Sequence, residues 1–293
     1  MKRILLIIFF LSPLIFCQTG EYKIEYYKNG KIKSEGFIIN GKKDGIYKEY
    51  YPNGQLYKEW SYKNGLEDGE SKWYFEDGKI SMIWIYKEGK LNGLQKWYYE
   101  TGELWAELNY VDGVQQGETK TYYKSGKIQS IFNYENNRLN GTSYTYFENG
   151  SLEVIKNYRN DTLDGETKVF NEMGTCILIA NYKNSKLDGY SRLFNYEGKL
   201  SVLDYYYNGE IIKRVRYKNN GEIEAVEESF TDYYDNGILK SIRNYKDGQL
   251  HGEQKYYYSD GTAKEFLYFE NGTKKGIQKY FYPGGILKEK QQF

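Results

Sequence analysis

A glycine stands every 24 residues from Gly30 through Gly54, Gly78, Gly102, Gly126, Gly150 and Gly174 to Gly198, and the series resumes at Gly237, Gly261 and Gly285. A second series, Gly45, Gly69, Gly93, Gly117, Gly141, Gly165 and Gly189, then Gly252 and Gly276, runs out of phase with the first. A constant period of this size implies repeated units that each pack on their neighbours, so function is to be sought in a surface.

The unit reads as two strands and two turns. In 69–92, the aromatic run Glu70–Phe75 is followed by Asp77-Gly78 and then by Lys79–Tyr86, rich in Ile, Trp and Tyr. Two β-rich runs joined by Asp-Gly or Asn-Gly predict a hairpin with a type I′ turn. A two-residue turn sets Phe75 opposite Ile80, Trp73 opposite Met82 and Ser71 opposite Trp84, all on one apolar face. The second glycine series predicts longer Gly/Asn/Asp connections, such as 63–69, leading to the next hairpin. The expected fold is all-β: tandem 24-residue hairpins forming an elongated, twisted antiparallel meander. Tyr at 35 residues and Gly at 31, against 3 Pro, fit strands and turns.

Stacking the repeats produces columns. Tyr50, Tyr74, Tyr98, Tyr122, Tyr146, Phe170, Phe194, Tyr257 and Phe281 form one; Tyr51, Phe75, Tyr99, Tyr123, Phe147, Asn171, Asn195, Tyr258 and Tyr282 form the next. Same-face pairs of this kind stabilise sheets. A basic column of Lys48, Lys72, Lys96, Lys120, Lys168, Arg192, Lys255 and Lys279 offers an electropositive stripe for anionic lipid or glycan. The competing, structural reading pairs those charges across strands, Lys48 with Glu59 and Lys96 with Glu107. Trp60, Trp73, Trp84, Trp97 and Trp105 cluster in the N-terminal half and are the candidate anchors for a protein partner. The candidate binding surface is therefore these five tryptophans with Lys48, Lys72, Lys96 and Lys120.

Residues 1–17 differ from the rest: Lys2 and Arg3 precede a nearly continuous apolar run from Ile4 to Phe16. This pattern predicts a secretory signal peptide and a periplasmic, cell-surface or secreted product. Cys17, with Leu14 three residues before it, offers a lipoprotein cysteine as the alternative. Regular repeats are expected over 18–204, a degenerate repeat or insertion over 205–232, and further repeats with a C-terminal cap over 233–293.

A net charge of +1 argues against nucleic acid as partner. His251 is the only histidine, no Cys/His cluster has metal spacing, and no phosphate loop or nucleophile elbow is present. No cofactor and no catalytic activity are expected.

The pattern Y-[YF]-x-[ND]-G-[KQS]-[IL], seen as YYKNGKI at 26–32, YYPNGQL at 50–56 and YFENGSL at 146–152, resembles the bacterial variant of the MORN repeat. The resemblance covers about residues 22–290. It implies tandem hairpins and a binding or scaffolding role, and it includes chains described as antitoxins of the YwqK type. Three functions follow as expectations: an exported, non-enzymatic scaffold for a protein or cell-envelope partner; an antitoxin or immunity protein; and an anionic lipid or glycan binder acting through the lysine column.

Overall fold

A computed structural model describes residues 20–293. The expected signal segment and Cys17 lie outside the described residues. Within them the chain forms strands joined by turns, in consecutive antiparallel hairpins. It divides into two units, Met1–Val114 and Gln115–Phe293.

The strands Gly69–Tyr74 and Ile80–Lys87 show how one repeat folds. Trp73 faces Met82 and Ser71 faces Trp84, as the sequence register predicts. The expected pairing of Phe75 with Ile80 does not occur: Tyr74 faces Ile80, because the register shifts between Trp73 and Tyr74. The cause lies in the turn. Gly78 N–H donates to Phe75 O at 2.9 Å and Phe75 N–H to Lys79 O at 2.8 Å. Gly78 has φ 86°, whereas Asp77 is not in the left-handed region. This is a three-residue loop, a type I turn closed by a left-handed glycine and bulge, and not the expected type I′ turn. Asn or Asp is favoured before the glycine because its side chain closes a local ring. Asp77 Oδ1 accepts Lys79 N–H at 3.0 Å, and Asn53 Oδ1 accepts Gln55 N–H at 2.8 Å.

The type I′ turns occupy the other end of the repeat. Asn64 and Gly65 both have positive φ, 54° and 86°, and the flanking pairs Lys63–Leu66 and Tyr62–Glu67 are in register. The expected long return connection is thus a tight two-residue hairpin followed by a bulge, where Asp68 N–H donates to Ser61 O at 2.9 Å. Pairing resumes at Glu59–Lys72 and Lys58–Trp73.

Each I′ turn hangs from the one before it. Gly89 N–H donates to Glu67 O at 2.7 Å and Gly113 N–H to Leu91 O at 2.8 Å. In the C-terminal unit Asn137, Asp161 and Ser185 replace the second turn glycine, with φ of 65°, 65° and 62°. Their side chains recover the cost of that conformation. Asn137 N–H donates to Gln115 O at 3.1 Å while Asn137 Oδ1 accepts Gln115 N–H at 2.7 Å, and Asp161 and Leu139 repeat the exchange.

The segment 205–232 forms strands. Leu200–Tyr207 and Glu210–Tyr217 pair around Asn208-Gly209, and Ile223–Glu227 returns from a turn at Gly221. The bulge after Gly209 is one residue shorter than its predecessor: Tyr205 pairs with Lys213 and Tyr206 with Ile211, against Ala180–Ser191 and Tyr182–Leu187 before. Beyond Glu227 the I′ turn is missing altogether. Ser229–Tyr233 begins a separate eight-stranded sheet that ends at Leu287–Gln292.

Candidate functional site

In the N-terminal unit the five tryptophans gather around the apolar face of the hairpins. Trp73 faces Met82, and Met82 in turn faces Trp97 of the following hairpin. The ring centroids of Trp60 and Trp73 are 4.6 Å apart, those of Trp73 and Trp84 4.7 Å, and those of Trp97 and Trp105 5.4 Å. These tilted and edge-on geometries are the favourable ones for aromatic pairs. Lys58 Nζ lies 5.3 Å from the Trp60 ring and 5.8 Å from the Trp73 ring, adding cation–π attraction on the same face.

The five are not equivalent. Trp73 is 7% exposed and belongs to the packed interior of the face, whereas Trp105 is 40% exposed. The indole nitrogens of Trp60, Trp84 and Trp97 are shielded from solvent without a hydrogen-bond partner. Burying an indole N–H unpaired is unfavourable, and ring stacking offsets it. Trp105 sits where the register shifts between Leu104 and Ala106. With Phe75, Ser81, Met82, Trp97 and Tyr98 it lines an apolar pocket of about 290 Å³.

The lysines of the expected surface lie elsewhere. Lys72 and Lys96 each precede a tryptophan on the same strand, so strand alternation places them on the opposite face. The two halves of the candidate surface therefore do not combine into one site. Lys48 meets Glu59 at 3.7 Å and Lys96 meets Glu107 at 3.7 Å, the cross-strand pairs the sequence predicts. Lys72 turns to Glu70 at 2.7 Å on its own strand. In the C-terminal unit Lys120 pairs with Glu118 at 3.0 Å. The aromatic columns share this ladder role. Tyr51 Oη donates to Tyr74 O at 2.9 Å and Tyr27 Oη to Tyr50 O at 2.6 Å, so one hairpin's hydroxyl binds the next hairpin's backbone. Burial, with Glu67 nearby, pushes the Tyr86 phenol up to about 12; burial raises Tyr62 further.

Two constellations escape the sequence reading. One is a buried polar column, including Ser71, Gln95, Thr119, Ser143 and Thr167, with Gln254 and Gln278 in the second sheet. Gln95 Oε1 accepts Ile85 N–H at 2.6 Å, and its Nε2 donates to Gly93 O at 3.0 Å and Ile85 O at 3.3 Å. Gln254 grips Asn244 N–H and O at 2.8 Å each, and Gln278 holds Tyr268 in the same way. These side chains satisfy backbone groups that the bulge beside the I′ turn leaves unpaired. The signal was a small polar residue or Gln every 24 positions.

The other is a charge cluster at the junction of the two sheets in the C-terminal unit. Asp204 stands in the column that holds Trp60 and Trp84. Arg214 Nε and Nη2 bind its two oxygens at 2.7 and 2.8 Å. Arg243, 3% exposed, bridges Glu210 at 2.8 Å and Asp232 at 2.7 Å. Asp204 makes the pairing of Arg214 stronger than that of an exposed ion pair, because its own side chain is only 9% exposed.

Among the described residues no group of His, Cys, Asp and Glu has metal-holding geometry, and no helix is long and apolar enough to cross a membrane. Cys176 is half-buried, and burial raises its thiol pKa, the condition of an inert side chain.

Hairpins stacked in register, with interchangeable columns and a bulge-filling polar residue in each, define a tandem β-hairpin repeat protein. The family model described as the MORN repeat variant matches residues 19–40, 43–64, 67–88, 91–112, 115–136, 139–160, 229–247 and 274–293, more than half of the chain. The chain belongs to the variant MORN repeat family. No curated protein matches it. Among solved structures, a crystal structure of TcdB2-TccC3-Cdc42 is 12% identical over 88% of this chain and 16% of its own, with a TM-score of 0.17. A Photorhabdus luminescens Tc holotoxin pore is 12% identical over 91% and 18%, with a TM-score of 0.18. The chain spans about one sixth of the length of these structures, and similarity at this level carries no argument.

Proposed function

We propose that the chain is a non-enzymatic repeat scaffold that binds a protein or cell-envelope partner through the aromatic face of the N-terminal unit. The observation that carries this is the open apolar pocket of about 290 Å³ at Trp105, whose ring is 40% exposed beside Met82 and Trp97. A half-exposed indole next to a preformed pocket is the usual composition of an interface anchor. The lysine face supports the lipid or glycan reading less well, because Lys48, Lys72, Lys96 and Lys120 each have a carboxylate partner. Export rests on the 1–17 pattern, and the mass of the mature N-terminus tests it, including lipidation at Cys17. The antitoxin reading rests on the family resemblance; its test is whether co-expression protects against a neighbouring toxin.

The scaffold reading is tested by W105S and W73S. Partners cross-linked to the wild-type chain in its own cells are identified and their recovery compared across the variants. W105S is expected to lose them with its melting unchanged, and W73S to lose stability and partners together. Equal recovery by W105S and wild type would refute an anchor role for the face.

A further inference from the structure

The missing I′ turn leaves a gap in the C-terminal unit, and the gap has the chemistry of a binding cleft. Along the regular array each I′ turn donates a backbone N–H to its predecessor, as Gly209 does to Leu187 O at 2.7 Å and Gly272 to Leu250 O at 2.9 Å. Gly221 and Gly237 are 16 residues apart instead of 24, and the strands Ile223–Glu227 and Ser229–Tyr233 follow without a turn between them. The turn at Gly209 therefore meets the turn at Gly248 with one level absent. Ile212 fills part of the space: its Cδ1 lies 3.7 Å from where a Cβ on Gly248 would stand. The rest is a cleft of about 550 Å³ whose lining includes Tyr207, Glu210, Ile212, Tyr245, Leu250 and Tyr256.

The cleft is acidic and aromatic. No Lys or Arg lines it. Glu210 and Asp232 both bind the one guanidinium of Arg243, which leaves a net charge of one negative. Arg243 is 3% exposed and held from both sides, so it offers nothing to an incoming anion, whereas the Glu210 side chain is 60% exposed. Burial, with Glu210 adding to it, pushes the Tyr256 phenol up to about 12, so this ring stays neutral. Neutral tyrosine faces beside an accessible carboxylate attract cations, and a planar guanidinium satisfies both at once by stacking and forked hydrogen bonding. The volume lies within the ordinary range of ligand clefts, about 300–1,000 Å³.

We propose that this cleft receives an arginine side chain presented by an extended segment of a partner protein, with Glu210 taking the guanidinium and the tyrosines packing against it. The site is separate from the aromatic face of the N-terminal unit and does not rest on its function.

The test uses the full chain and fluorescein-labelled Gly-Ser-Arg-Ser-Gly, with citrulline and lysine in place of arginine as comparators, read by anisotropy. The arginine peptide is expected to saturate, and the citrulline and lysine peptides to bind at least about tenfold more weakly. E210Q, which keeps an acceptor for Arg243, is expected to weaken the arginine peptide about tenfold. Y207L, at an exposed turn-flanking position, is expected to weaken it several-fold with unchanged melting. Absence of saturable binding overturns the proposal, as does equal affinity for the citrulline or lysine peptide. Full affinity in both E210Q and Y207L would place the peptide elsewhere and overturn it equally.

Discussion

Gln95→Leu probes the bulge-filling column directly. Gln95 is 2% exposed and holds both backbone groups of Ile85. Leucine fills a similar volume but accepts nothing. The Ile85 carbonyl keeps a partner, because Asn92 N–H donates to it at 2.8 Å. The Ile85 N–H loses its only acceptor, and a buried amide without one costs about 1–3 kcal/mol. Ile85 is half-buried, so water recovers part of that, and the expected loss is about 2 kcal/mol. Hydrogen exchange localises the effect: the Ile85 amide is expected to exchange roughly 30-fold faster in the variant, since 1.4 kcal/mol is tenfold. The Ile83 amide, in the paired stretch of the same strand, is expected to change much less. Gln95→Ser is the internal control. Ser71 occupies the same position one repeat earlier, and its Oγ accepts Ser61 N–H at 3.2 Å, so the serine variant is expected to lose about half as much. Urea titration of all three chains gives the total. Unchanged Ile85 exchange in the leucine variant, or equal urea stability, would refute the assignment of this column to backbone satisfaction.

Tyr51→Phe removes the hydroxyl that binds Tyr74 O; with Phe75 and Phe147 already in this column the ring fits, and urea denaturation is expected to show a loss of about 1 kcal/mol. Arg214→Ala strands the Asp204 carboxylate at the sheet junction and is expected to cost about 3 kcal/mol. The double change D204A/R214A is expected to regain much of that, since Ala180 already fills the equivalent position one repeat earlier at 1% exposure. Alkaline pH is expected to destabilise the fold. Tyr86 and Tyr256 have folded values raised to about 12 from an ordinary value near 10, so their contribution is complete below pH ~10 and is lost as pH rises through ~12. Urea midpoints that stay constant from pH 8 to beyond 11 would contradict this.

Side-chain alternation carried most of the fold in advance. Trp73 with Met82, Ser71 with Trp84, and the ion pairs Lys48–Glu59 and Lys96–Glu107 all follow from counting along two antiparallel strands. The exchange of turn types was harder to read, because Asn-Gly stands at both ends of the repeat, as at 53–54 and 64–65. What separates them is the residue before the glycine. Glu88, Asp112 and Asn64 take positive φ at one end, whereas at the other the Asn or Asp side chain caps a type I turn. The opposite placement of the tryptophans and lysines was implicit in the adjacency of Lys72 and Trp73. The buried glutamines were not legible as such, since a polar column looks solvated until the bulge beside it is known to leave an amide without a partner. Gly221 was open to reading as a turn, being preceded by Asn220, but its spacing of 23 from Gly198 hid it from a search for 24.

The reciprocal exchange between turns, with Asn137 and Gln115 each giving and receiving one hydrogen bond, makes every module's binding needs identical to those of the module it follows. A duplicated block of 24 residues inserts without orphaning a donor, so such a gene can lengthen its product one level at a time. A deletion of any other length leaves a site to be filled by something else.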